Sequence, residues 1–154
     1  MTSSFQPTPR QGGGAAVEMA LLLPFFVLLL SLALFLGRCF WHYEAAQKAA
    51  QDASRYLSTI SEEEIRDVVL APAAAEVARD IARMELAGLF PGRTPPRIDV
   101  QCGGATCLGA TSGPLPDTVT VTVSMDMFDP IFGVAVGRRG LLLTARSEVR
   151  YVGT

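Results

Sequence analysis

The chain has one histidine and one tryptophan among its 154 residues, and only three cysteines. A single imidazole excludes any site built on two or more histidines. The sequence holds no G-x-S-x-G elbow, no phosphate-binding loop and no dinucleotide fingerprint. Gly103, Gly104 and Gly109 fall in a loop rather than between a strand and a helix, so they do not form a phosphate cradle. Asp126 and Asp129 are neighbouring carboxylates whose plain reading is a strand end and a turn. With no catalytic constellation, the expectation is a protein that is not an enzyme, with no cofactor and no metal. Positive charge is also sparse: the formal net charge is −2 and the arginines are scattered. Arg138-Arg139 is the only basic doublet and reads as a turn, so nucleic acid is not an expected partner.

Apolar residues make up 49% of the chain, and the mean hydropathy is +0.31. Most of that excess lies in one place. Residues 19–37 carry no charge, and a bilayer core of ~30 Å needs about 20 helical residues. At the head of this run stands one acid, Glu18, just after the triple glycine Gly12-Gly13-Gly14. A charged side chain within a membrane segment is costly, so it marks a functional position. The glycines would let an extended chain enter a protease cleft.

The run admits other readings. Ser31-Leu32-Ala33 offers a signal-peptidase site that would release a soluble protein. The apolar stretch is long for a signal peptide, however, and Glu18 interrupts its start. A lipoprotein site fails because Arg38 precedes Cys39. A plain single-pass anchor explains the length but not the Gly–Glu arrangement. Arg10 lies before the segment and Arg38 directly after it, so the positive-inside count does not set the orientation.

Cys102 and Cys107, spaced C-x4-C in a glycine-rich loop, lack the further ligands that zinc needs. A short-loop disulfide in an oxidising compartment is the preferred reading, with two free thiols in a cytosolic loop as the alternative. Cys39 is odd by count. It reads as a small packed residue or as one half of an intermolecular bridge.

Residues 1–11 are polar and contain two prolines, as in a disordered leader. A helix is expected over 15–60, its lower half in lipid and its upper half in water. Beyond the membrane, Cys39, His42/Tyr43, Ala46, Ala49/Ala50, Ala53, Tyr56/Leu57 and Ile60 form an amphipathic, alanine-rich stripe. Trp41 and Tyr43, with His42 between them, read as interfacial side chains. Pro24 kinks the membrane segment.

Ser61 to Glu64 forms a capping box. It opens a second helix with Ile65, Val68/Val69, Val77, Ile81 and Met84 on one side. Pro72 bends or splits it, Gly88 caps it and Pro91-Gly92 ends it. The last third reads as strands: 97–102, then the strict alternation of 118–125, then 141–152 with Leu143, Ala145, Ser147, Val149 and Tyr151 on one face. Between the last two lies an apolar loop or short helix over 128–133. The expected class is α+β, a long N-terminal helix followed by a small head with a second helix and two or three antiparallel strands. The expected segments are a leader 1–13, a transmembrane helix 14–37, a helix extension 38–60 and a head 61–154.

These features in this order resemble the TadE-like family, small membrane-anchored pseudopilins of the tight-adherence (Tad/Flp) pilus system. The likeness is closest over 13–57. It rests on Gly13-Gly14-Ala15-Ala16-Val17-Glu18, then Pro24, then Gly37-Arg38, then the Ala/Gln-rich stretch from Tyr43 to Tyr56. Leu142 to Tyr151 is similar to the family's closing strand. Met19 departs from the pattern, standing where the family has Phe or Tyr.

The resemblance implies a minor pseudopilin-like subunit for the assembly or initiation of a Tad (type IVc-like) pilus used in adhesion. Prepilin peptidase would cut between Gly13 and Gly14, and Glu18 would pair with the new N-terminal amine. Implied partners are that peptidase, other pilins and pseudopilins, the inner-membrane assembly platform and the lipid bilayer. The implied place is the bacterial inner membrane, single-pass, with the N-terminus cytoplasmic, the head periplasmic and incorporation into a pilus open. The alternative is an uncleaved envelope anchor whose head binds the same machinery.

Overall fold

The computed structural model describes residues 12–89, 94–109, 113–128 and 140–153. Residues 1–11 of the leader, Pro91-Gly92, Asp129, most of the 128–133 loop and Arg138-Arg139 lie outside the described residues. The chain divides into two compact units, Met1–Leu36 and Gly37–Thr154. The element order is α1 Gly12–Ser58, α2 Glu62–Arg66, α3 Leu70–Glu85, β1 Arg97–Cys102, β2 Ala105–Thr106, β3 Thr118–Met127 and β4 Leu141–Arg150. The class is α+β, with one long apolar N-terminal helix and a small head.

In the first unit, α1 begins at Gly12, three residues before the expected start at Ala15. Apart from half-buried Ser31 and buried Phe35, its described side chains stand open from Gly13 onward, with Leu21 at 74% exposure. Ser31 is half-buried and donates its hydroxyl to the Leu28 carbonyl at 2.9 Å, which satisfies a polar group in an apolar setting. Pro24 lies inside the helix and supplies no backbone N–H there.

The second unit holds an antiparallel sheet of order β2-β1-β3-β4, which α1 meets at β4 through Gln47 and Ser54 and α3 meets at β1. Register follows the period-2 pattern: Val121 pairs with Val100 on one side and with Ser147 on the other. The inner face carries Val100, Val119, Val121, Val123, Met125, Met127 and Ala145, all buried. The outer face carries Thr118, Thr122 and Ser124, flanked by Asp99 and by Arg146, Glu148 and Arg150. Strand-formers on one face and hydroxyls on the other are what a half-solvated sheet requires.

Among the described residues four strands are present where two or three were expected. The added one is β2, a two-residue strand that returns on β1 through Gly103-Gly104. Both glycines have positive φ, which this tight return demands. Gly140 is equally constrained, with φ +83 and a β-carbon position that would overlap the Met127 carbonyl.

The helical layer differs from expectation in two ways. The second helix is two helices, and the break lies at Asp67, not at Pro72. The Asp67 carboxylate accepts hydrogen bonds from the Val69 and Leu70 amides at 2.7 and 2.9 Å. These two donors hold its pKa below the usual carboxylate value. Pro72 falls in the first turn of α3, where a missing N–H costs nothing. The buried face of α3 also differs. Val68, Val69, Val77 and Met84 are exposed, while Ala71, Ala74, Ala75, Ala78 and Ala82 are buried. Ala46, Ala49, Ala50 and Ala53 of α1 are buried as well. Alanine faces bring helix backbones close, so a thin head can still pack densely.

Several local links fix the ends. Ser61 caps α2 as expected, accepting from the Glu64 amide at 3.2 Å. α1 stops at Ser58, not Ile60, because the C-terminal tail takes its last carbonyls. The amides of Val152 and Gly153 both donate to Ser58 O, and the Tyr151 hydroxyl donates to Ile60 O at 2.9 Å. Ser54 donates to Gln51 O at 3.0 Å, so in the buried 2.8 Å pair with Ser147 it is Ser147 that donates. Lys48 reaches Glu85 of α3 at 2.7 Å, and that contact raises the lysine pKa. An exposed pair of this kind contributes little stability.

Candidate functional site

Gly13, Gly14 and Glu18 all lie in the first two turns of α1. Positions four apart share a helix face, so Gly14 and Glu18 stand one above the other about 6 Å apart along the axis. Neither Gly13 nor Gly14 would bring a β-carbon within 4 Å of another atom. Among the described residues no ion pair reaches Glu18. Among the described residues the carboxylate therefore stands open on the helix surface. Each helical glycine costs about 1 kcal/mol relative to alanine. The first turn is thus the easiest part of α1 to unwind into an extended chain.

The apolar length of α1 is sufficient to cross a bilayer, with mean hydropathy 2.8 over its most apolar window. It is compatible with a single-pass membrane anchor.

In the second unit the histidine does not sit where expected. Trp41 and Tyr43 are exposed, but His42 is buried at 3%. Its Nδ1 donates to the Arg38 carbonyl at 2.8 Å. Nε2 is buried and without a hydrogen-bond partner among the described residues. Cys39 is buried on the same helix stripe and stands apart from the disulfide.

Cys102 and Cys107 are joined, with Cα atoms 5.1 Å apart. The bond clamps β2 back onto β1. It also fixes the chain leading to Gly109, whose φ is +74 and whose hydrogen faces the Asp67 carbonyl too closely for any β-carbon. The disulfide loop is thereby seated on the α2–α3 turn. Beside it lies a shallow depression of about 540 Å³ lined by Ile65, Ala71, Cys107, Leu108 and Pro116. It brings no titratable pair together, and its form is that of a packing seam. Replacing both cysteines by serine removes a loop closure worth about 2 kcal/mol in the chain-entropy account. The urea midpoint of the head, followed by near-ultraviolet circular dichroism in mild detergent, is expected to fall accordingly. An unchanged midpoint would show that the bond adds nothing.

Comparison with known proteins bears on the helix. Residues 13–55 match the family of TadE-like proteins. The matched stretch lies wholly within α1 and includes Gly13, Gly14, Glu18 and Pro24. The match covers 43 of the 154 residues and suggests a Tad pilus-related protein. No curated protein and no solved structure matches the chain. The TadE-like segment therefore carries the likeness, and the sheet of the head stands on its own sequence pattern.

Proposed function

We propose that this chain is a minor pseudopilin-like structural subunit that helps assemble or initiate a Tad pilus. The observation that carries the reading is the TadE-like helix, open to solvent over most of its apolar first half, with one carboxylate at its head. A surface of leucine, phenylalanine and valine open along its length needs lipid or other helices to cover it. A carboxylate near its start then needs a cation, and the nearest one the chemistry can supply is a newly formed amine at Gly14. Cleavage by prepilin peptidase between Gly13 and Gly14 would create that amine on the cytoplasmic side. The head would be exported across the bacterial inner membrane, which suits a disulfide. Partners under this reading are the peptidase, other pilins through α1, the inner-membrane assembly platform and the bilayer. The role is structural and calls for no catalysis, metal or cofactor.

The N-terminal residue of the mature protein, compared between cells with and without prepilin peptidase, tests this reading. A start at Gly14 that disappears without the peptidase is the expected result. An intact leader in both strains would leave a permanent anchor whose head serves the same machinery. A start at Leu34 would make the head a secreted protein.

A further inference from the structure

The outer face of the sheet carries a mixed array of acids, an arginine and hydroxyls, and strand register fixes its layout. Arg97 on β1 stands opposite Ser124 on β3, and Asp99 stands opposite Thr122. On the other side of β3, Thr144 stands opposite Ser124 and Leu142 opposite Asp126. Opposed residues are about 5 Å apart, and residues i and i+2 along one strand about 7 Å. These side chains border a groove of about 890 Å³, with Pro95 also in its lining. That volume is within the ~300–1,000 Å³ of small-ligand sites. The groove lies wholly within the second unit.

Its polar groups are only partly engaged. Gln101 Nε2 donates to Asp99 Oδ2 at 2.8 Å, and Thr94 Oγ1 donates to Asp126 Oδ2 at 3.1 Å. Each carboxylate is thereby steadied by one internal donor. The Oδ1 of each carries no hydrogen bond among the described residues. Arg97 shares the groove with both acids and pairs with neither. Its side chain is exposed and makes no ion pair among the described residues. Two steadied acceptors, one open fork of donors and two hydroxyls thus share one groove. Leu142, 62% exposed, is the apolar exception on the outer face of β4, whose other members are Thr144, Arg146, Glu148 and Arg150.

The ligand class follows from that mixture. Arg97 opposes a bare cation, and the two acids oppose an anion. A peptide backbone finds no ladder here, because β3 lies between β1 and β4 and its backbone groups are already paired. A neutral polyol meets every group. Each sugar hydroxyl can donate to a carboxylate and accept from a guanidinium, while the C–H face of the ring rests on an apolar side chain. We propose that this groove binds a neutral glycan, with a pyranose ring over Arg97, Ser124 and Asp126 and its apolar face toward Leu142. The inference goes beyond the pilus reading and depends neither on cleavage nor on assembly.

The test keeps the full chain in phospholipid nanodiscs, which cover the apolar helix and avoid sugar-headed detergents. The discs are passed over immobilised neutral gluco-, galacto- and manno-oligosaccharides, with sialylated and sulfated glycans alongside. Expected is saturable retention by at least one neutral oligosaccharide, competed by the same sugar in solution. Arg97→Ala and Asp126→Ala should each weaken it at least tenfold, because each removes a charge-assisted hydrogen bond. Arg150→Ala, on the same face but opposite Thr118 and more than about 20 Å along the strands from Asp126, should leave it within twofold. Near-ultraviolet circular dichroism checks the fold of each variant, and Asp126→Asn repeats the test should alanine disturb it. Retention of no neutral glycan above empty discs overturns the proposal. So does equal retention of the wild type and both groove variants. A preference for sialylated or sulfated glycans alone also overturns it, since that would mark an anion contact.

Discussion

Leu57→Ala is expected to lower the stability of the head by about 2–5 kcal/mol, enough to bring a small domain close to unfolding. Among the described residues Leu57 is the largest side chain wholly removed from solvent. It sits in the last turn of α1, one residue before the carbonyl that receives the C-terminal tail. The buried faces of α1 and α3 are rich in alanine, which has no side chain to extend into a vacated space. Its cost should therefore fall in the upper part of the range. Val77→Ala on α3, a residue 44% exposed, should change stability by less than about 0.5 kcal/mol. Urea unfolding of both variants in detergent, read by near-ultraviolet circular dichroism, gives the comparison. If Val77→Ala cost as much as Leu57→Ala, the alanine face of α3 would not be its buried face. The reverse substitution probes the same geometry from the other side. Ala78→Leu forces a branched side chain into a contact closed to solvent and should cost about 1–3 kcal/mol.

That contrast between Val77 and Ala78 also marks where sequence reasoning works and where it stops. β3 was legible because Val119, Val121 and Val123 alternate with threonines and Ser124 over 118–124, and a period of 2 marks a strand with one apolar face. The Ser61 cap was legible because it needs only residues three apart. Gly13, Gly14 and Glu18 were legible for the same reason: their significance lies in spacing along one chain, with no tertiary contact required. α3 was misread because hydrophobicity ranks valine and methionine above alanine. Packing rewards small volume where a helix lies close to a sheet, and no single-chain scale carries that distance. β2 was missed because two residues cannot display a period. The burial of His42 follows from its place between Cys39 and Ala46 on the inward stripe, but the aromatic neighbours on either side point to the opposite reading. The break at Asp67 depended on a side chain taking two backbone amides, a choice that Pro72 five residues later obscured.

Under the proposed function, Glu18→Ala should leave membrane insertion intact or improved while abolishing incorporation into the assembly. The two effects have opposite signs because they come from one charge. A lone carboxylate within an apolar helix opposes insertion by up to a few kcal/mol. In the assembled state, the same carboxylate would meet the Gly14 ammonium of its own chain or of a neighbour. In a low-dielectric setting such a contact is far stronger than in water. Losing it should reduce crosslinking between α1 and partner pilins at least tenfold, which corresponds to about 1.4 kcal/mol. Glu18→Gln separates charge from shape: it keeps the size and the hydrogen-bonding oxygen but cannot pair electrostatically, so it should fail nearly as badly as alanine. Glu18→Asp keeps the charge on a shorter arm and should retain part of the activity. Two further readings keep the outcome interpretable. Carbonate extraction reports insertion, and N-terminal sequencing of each variant reports the cut, so a processing defect cannot pass for an assembly defect. Wild-type crosslinking by Glu18→Ala, in protein cut at Gly14, would mean that the acid at the head of this helix does not set the register of the assembly.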